Sequence, residues 1–322
     1  MSVWHSAAAM PADLGPTVVT IGVFDGVHRG HQVVVGRAAA WARRLRIPAV
    51  AVTFDPNPIV VIRPEVAPPA LLPVRTRAEL LTAAGVDHVL VLPFGRERSE
   101  QSAEDFVDDV VVGLLHAKVV VVGGDFRFGH RAAGNVALLE LLGKEYDFVV
   151  ERVEPEGGAR VERWSSTYVR ERVAEGDVAA AAEALGRPFR VEGVVVRGNE
   201  RGRSLGFPTA NVPIRPGEMV PADGVYAGWL TRLDVPEAPG WPAAISVGTN
   251  PTFDGVERSV EAYVIGRDDL ELYGIPVAVD FVDRIRGQER FDTVTELIER
   301  MHDDVDVARR LLGPAAGNRP SG

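Results

Sequence analysis

The stretch TVVTIGVFDGVHRGHQVVV, residues 17–35, decides the fold. Thr17 to Ile21 is an apolar, β-branched run of strand length, and Gly22 and Phe24 end it. A few residues on, His28 and His31 begin HQVVVGRAAAWARRL, whose apolar spacing is that of a helix. The same alternation then repeats: AVAVTF, TRAELLTAAG, HVLVLPF, AEDFVDDVVVGLLHA, KVVVVGG, NVALLELLG and YDFVV follow in order up to Val150. Strand and helix in regular turn predict a parallel sheet with helical crossovers. Ser102 stands where it would cap the AEDF helix, and Gly143 where it would stop the helix of VALLELL.

Two helical segments, SSTYVRERVAEG and DVAAAAEALG, close this region, and after Gly186-Arg187-Pro188 the texture changes. From Phe189 residues alternate in short runs (RVEGVVVRG, GVYAGWLTR, AAISVG, SVEAYVIG, VAVDFV) with Gly, Pro and Asn between them, and no helix follows until Thr293 to Leu311. That pattern predicts a small antiparallel β unit, barrel-like, closed by a C-terminal helix. At 322 residues the chain exceeds the roughly 250 residues a single core supports. The expected division is a tail over 1–16, an α/β domain over 17–186, a β domain over 187–312 and a tail over 313–322.

Composition narrows the chemistry. No cysteine is present, which excludes disulfides, thiolate metal sites and cysteine nucleophiles and fits a cytoplasmic protein. The N-terminus lacks the basic and apolar regions of a signal peptide, and no uncharged run approaches the ~18 residues of a membrane span. Lys and Arg number 35 against 45 Asp and Glu, a net charge of −10, so neither a membrane nor a nucleic acid is an expected partner and any anionic ligand must be held locally. The composition leaves a homo-oligomer open.

GVFDGVHRGH offers such a place. His28 and His31, three residues apart at a helix start, can point at one ligand, and the helix N-terminus already favours a phosphate. Gly26 and Gly30 would let the backbone approach it closely. Two histidines and Asp25 could instead ligate a metal, although no third strong ligand stands nearby. Arg127 and Arg170, taken alone, read equally well as members of surface ion pairs.

The string GVFDGVHRGH resembles the HxGH signature of nucleotidyltransferases, and in its FDGVHRGH form that of the bacterial bifunctional riboflavin kinase/FMN adenylyltransferase family. TFDPNP at 53–58, GGDFRFG at 123–129 and SSTYVR at 165–170 resemble three further segments of that family. The resemblance implies a Rossmann-like nucleotidyltransferase sheet followed by a β-barrel with a C-terminal helix. It implies an ATP site at Gly22, Phe24, Asp25, Gly26, His28, His31, Ser166, Thr167 and Arg170, with His28 and His31 catalytic, and flavin contacts at Asn57, Asp125 and Arg127. Asn57 stands where the family usually carries His.

RGNERGRSLGFPTANV at 197–212 reads by composition as a polar loop, but resembles the family's GxGRxLGFPTAN kinase segment almost letter for letter. PADGVYA at 221–227, SVGTNPTF at 246–253, SVEAYVI at 259–265 and LYG at 272–274 match in order. The resemblance implies that Gly202, Arg203, Gly206, Phe207, Pro208, Thr209 and Asn211 take ATP, that Thr209 and Asn211 hold Mg²⁺, and that Glu261 is the catalytic base. In an alternating strand Glu261 shares a face with Ser259 and Tyr263. Arg286 and Phe291, in IRGQERF at 285–291, would contact the flavin, with Gln288 at a position the family fills with an acid.

The implied activity is phosphorylation of riboflavin to FMN and adenylylation of FMN to FAD, with ATP as co-substrate and Mg²⁺ as cofactor. Two other readings stay open at this point. A nucleotidyltransferase for another phosphate would keep HRGH and SSTYVR but has no reason to carry GFPTAN or SVEAYV. A flavin-binding module with decayed sites would purify yellow and turn over no ATP.

Overall fold

A computed structural model describes residues 2–154, 157, 163–197, 205–252 and 255–313. The chain divides into two compact units, Met1–Ser166 and Thr167–Gly322.

In the first unit the predicted alternation forms β1 (Ser2–Trp4), β2 (Thr17–Ile21), α1 (Arg29–Leu45), β3 (Ala49–Asp55), α2 (Pro58–Ile62), α3 (Val74–Ala83), β4 (His88–Pro93), α4 (Arg96–Glu100) and α5 (Ala103–Phe106). Then come β5 (Ala117–Gly123), the short pair β6 (Arg127–Phe128) and β7 (Gly134–Asn135), α6 (Val136–Glu145) and β8 (Val149–Val153). Six strands make one parallel sheet in the order β1-β4-β3-β2-β5-β8. The direction of strand succession reverses between β2 and β5, and in open α/β sheets the carboxyl ends of the strands at such a point frame the ligand site. β2 is buried along its whole length, as a central strand covered on both faces must be.

Two expectations need correction. The segment before Thr17, read as a tail, contributes β1, which pairs with β4 while Trp4 stacks on His88 at 4.6 Å. Gly143 does not stop its helix. α6 runs on to Glu145, and a Cβ at Gly143 would lie 2.7 Å from the Phe148 carbonyl, so the glycine admits a close crossing rather than ending the turn. Ser102 does cap α5, accepting the Asp105 amide at 2.9 Å, and the helix passes into a wide-turned stretch over Val107–Leu114.

The second unit holds α7, whose first residue, Ser166, counts with the first unit (Ser166–Glu175), α8 (Val178–Leu185), β9 (Phe189–Val194), β10 (Thr209–Pro213), β11 (Gly224–Arg232), β12 (Trp241–Thr252), β13 (Gly255–Val264), β14 (Pro276–Arg286) and α9 (Val294–Leu312). Its six strands are antiparallel in the order β10-β13-β12-β11-β14-β9. A single bridge between Val196 and Asn211 joins the two ends of that order, so the sheet curls into the expected barrel. Thr293 caps α9, which packs Val305 and Ala308 against Phe207, Ala227 and Ile265. Among the described residues no helix is long and apolar enough to cross a membrane.

Candidate functional sites

The turn after β2 carries a constrained backbone. Phe24 (φ 52°) and Val27 (φ 41°) both lie in the left-handed region, which bulky side chains rarely adopt, with Gly26 (φ 82°) between them. Asp25 is buried and its carboxylate accepts the Leu71 amide at 3.1 Å, while its carbonyl takes the Ser166 hydroxyl at 2.8 Å. Asp25 and Ser166 therefore shape the turn.

His28 is the N-cap of α1. Its Nδ1 accepts the His31 amide at 3.4 Å, which leaves Nε2 to carry the ring proton of the neutral form. The two imidazoles stack at 3.6 Å, and a Cβ on Gly30 would press against the His28 ring at 3.2 Å. The glycine of HRGH thus makes room for the first histidine. Burial above all, then the charges of His28, Arg77 and Arg163, hold the His31 imidazole well below the ordinary histidine range, and its buried Nδ1 has no hydrogen-bond partner among the described residues. A stacked imidazole pair at a helix N-terminus, with His31 held in its neutral form, is a ready donor surface for a polyanion.

Beside it, at the reversal point of the sheet, opens a cavity of about 300 Å³. Ile21, Gly22 and Val23 form its floor, and Phe54, Phe94, Phe126 and Phe128 its aromatic walls, with Pro58, Ile62 and Arg127 at its rim. Phe126 and Phe128 stack at 5.2 Å and Phe54 meets Phe94 edge-on at 5.7 Å. Such a space suits a flat aromatic ligand. Asn57 caps α2 through the Ile59 amide at 3.3 Å, and Asp125 pairs with Arg163. Thr167 and Arg170 belong to the second unit, on α7. The four phenylalanines escape sequence reading because they come from three separate segments. Their one local signal is an aromatic residue at or just past the carboxyl end of a parallel strand.

In the second unit the register brings a row of polar side chains together on one face of the barrel. Asn211 lies opposite Glu261, and Glu261 opposite Ser246 on its other side. Thr209, two residues from Asn211, faces Tyr263, and the Asn211 Nδ2 reaches the Thr209 hydroxyl at 3.4 Å. Gln288 closes the row, donating to the Val247 carbonyl at 2.8 Å and the Ser246 hydroxyl at 3.4 Å. Ser246 opens the SVGTNPTF segment, but only strand pairing places it beside Glu261. Arg286 is engaged elsewhere: it forms a forked ion pair with Asp304 of α9, at 2.9 and 2.7 Å, and lies 5.8 Å from the Phe291 ring centre. Phe207 is buried under α9, edge-on to Tyr263 at 5.1 Å, so only its backbone is open to a ligand. Gly206 precedes it with φ 86°, and Pro208 leads directly into β10. Gly202 and Arg203 lie outside the described residues.

Comparison with known proteins adds to this geometry. The FAD synthetase family model matches residues 10–168 and the riboflavin kinase model residues 185–312. A curated relative from Escherichia coli (strain K12), a bifunctional riboflavin kinase/FMN adenylyltransferase, is 37% identical over 298 residues, covering 92% of this chain and 93% of its own. Relatives of the same name from Pseudomonas fluorescens and Haemophilus influenzae are 37% and 33% identical, over 93% and 91% of this chain and 94% of each of theirs. A solved structure from Streptococcus pneumoniae, described as a macrolide-efflux protein, superposes with a TM-score of 0.82 at 30% identity, over 95% of this chain and 98% of that one.

Proposed function

The chain belongs to the bifunctional riboflavin kinase/FMN adenylyltransferase family, and from that premise we propose how its residues divide the two reactions between residues 17–186 and 187–312. ATP is the co-substrate of both, and the setting is cytoplasmic.

The N-terminal domain adenylylates FMN. The attacking phosphate is already largely ionised near neutral pH, its second pKa being ~6, so no general base is needed. What is needed is alignment of two polyanions and stabilisation of charge on the departing pyrophosphate. His28 Nε2, His31 and the first turn of α1 supply donors at the phosphates, with Ser166, Thr167 and Arg170 holding the triphosphate. The flavin ring enters the phenylalanine-lined cavity, past Asn57, Asp125 and Arg127.

The C-terminal domain phosphorylates riboflavin, whose primary hydroxyl keeps its proton at neutral pH. Glu261 accepts that proton as the hydroxyl attacks the γ-phosphorus and ADP departs. Gly202, Arg203 and the backbone of Gly206, Phe207 and Pro208 cradle the nucleotide, and Phe291, backed by Arg286, meets the flavin. Thr209 and Asn211 would hold Mg²⁺: hydroxyl, amide and nearby carboxylate oxygens are the hard donors that ion takes. When bound it neutralises charge on the ATP phosphates.

The observation that carries this reading is the contrast in side chains, a stacked imidazole pair beside an aromatic cavity in one unit and a mid-strand carboxylate opposite an amide in the other. The test is a time course of purified protein with riboflavin, ATP and Mg²⁺, with a parallel reaction begun from FMN, the flavins being separated by chromatography. FMN should appear first and FAD second, and FAD should form from FMN alone. Neither product, in protein that binds flavin, would overturn the reading.

A further inference from the structure

Behind the histidine turn lies a charge to which nothing above gives a role. Arg77, on α3, is only 4% exposed. Its Nη1 donates to the Phe54 carbonyl at 3.0 Å and the Thr53 hydroxyl at 3.3 Å. Thr53, fully buried at the end of β3, passes its own hydrogen to the Val23 carbonyl at 2.9 Å. The chain of bonds thus runs from α3 through β3 to the residue before Phe24. The carboxylates of Asp25 and Asp55 face the guanidinium, and its buried Nε has no partner among the described residues.

Stability does not account for this arrangement. A buried charge has to be desolvated, and a buried donor left without a partner adds to that cost. Yet the turn it touches holds two bulky residues, Phe24 and Val27, at positive φ, which persists only where the surroundings over-determine it. The Arg77–Thr53–Val23 relay provides that determination, and the backbone it anchors leads within five residues to His28, the cap of α1.

We propose that Arg77 is a positioning residue for adenylyl transfer, fixing through the Thr53 hydroxyl the turn that aims His28 and His31. The proposal rests on the adenylyltransferase reading of the first unit. Because it concerns alignment, its loss should fall on kcat for FAD formation from FMN, with KM for FMN and ATP little moved.

The experiment compares Arg77→Met, Arg77→Lys and Thr53→Val with the unaltered full chain, assaying FAD from FMN and, in the same preparations, FMN from riboflavin. Arg77→Met should lower kcat for FAD about 100-fold, the size expected of a misplaced catalytic group. Thr53→Val should give a smaller loss in the same direction and Arg77→Lys a partial rescue, with kinase rates unchanged in all three. Histidine NMR supplies a readout that a merely structural role would not move. The charges facing His31 are those of His28, Arg77 and Arg163. Its titration should therefore move to higher pH in Arg77→Met and stay put in Thr53→Val, which keeps the charge. Wild-type kcat in Arg77→Met, a loss confined to KM, or an unaffected Thr53→Val beside a crippled Arg77→Met would each overturn the proposal. If Arg77→Met loses both activities through misfolding, Thr53→Val decides alone. Unaltered protein that makes no FAD would overturn the functional reading instead, and the His28 and His31 resonances would still report whether the relay holds the turn.

Discussion

The two units hold their chemistry on opposite kinds of backbone. In the first, the imidazoles sit on a strained turn and a helix start at the open end of a parallel sheet, braced by bonds from residues distant in sequence. In the second, Asn211, Glu261 and Ser246 lie in regular antiparallel register, where ladder geometry alone places them on one face. A phosphate that arrives ionised needs donors, and helix starts provide them. A hydroxyl that arrives protonated needs an acceptor, and a carboxylate on a stiff strand provides that.

The sharpest way to break this comparison is Glu261→Ala. It should lower FMN formation from riboflavin by about 10²–10⁴-fold, the range of a general base, and leave FAD formation from supplied FMN intact. Loss of both activities would show that the two sites are not independent.

His31→Ala should do the reverse, stalling the product at FMN with FAD formation down roughly 10²–10³-fold, as when one preorganised donor is removed. The same residue gives a pH signature. His31 is held neutral when folded and protonates near 6.5 when unfolded, so below about 6.5 the unfolded chain binds the extra proton. Stability of the first unit should therefore decline as pH falls below that value, and acid unfolding monitored by calorimetry should show a shallower decline in His31→Gln. An unchanged profile would mean that the ring is not buried in its neutral form.

The smallest effect sharpens the comparison within the first unit. Asn57 caps a helix of five residues, so Asn57→Ala should cost about 0.5–2 kcal/mol in chemical denaturation, while Asn57→Asp, another good cap, should cost less. Equal losses would show that the side chain acts on something other than the α2 amide.

Legibility in the sequence followed the same divide. Alternating runs marked most strands of both units but not β1, β6, β7 or β10, the last lying in a stretch that reads by composition as a polar loop, and period-two spacing alone put Glu261 with Ser259 and Tyr263. The HRGH pair was legible too, because a short motif at a strand-to-helix turn is a local event. What escaped was assembled from a distance. Phe54, Phe94, Phe126 and Phe128 meet only once β4, β3 and β5 are gathered around β2, and Arg77, on a helix, turns its charge inward. Ser246 becomes a neighbour of Glu261 only through strand pairing. Gly143 misled because a glycine late in a helix signals a stop or a crossing with the same letter, and only Phe148 decides which.

The three-residue strand β1 carries a last consequence. β4, whose interior is wholly apolar and buried, would be the rim of the sheet without Ser2–Trp4 laid along it. An unpaired rim of that kind is a template for sticking to other copies. The first few residues thus act as a selvedge along His88–Leu90, and unpicking that hem is expected to make the first unit more prone to self-association.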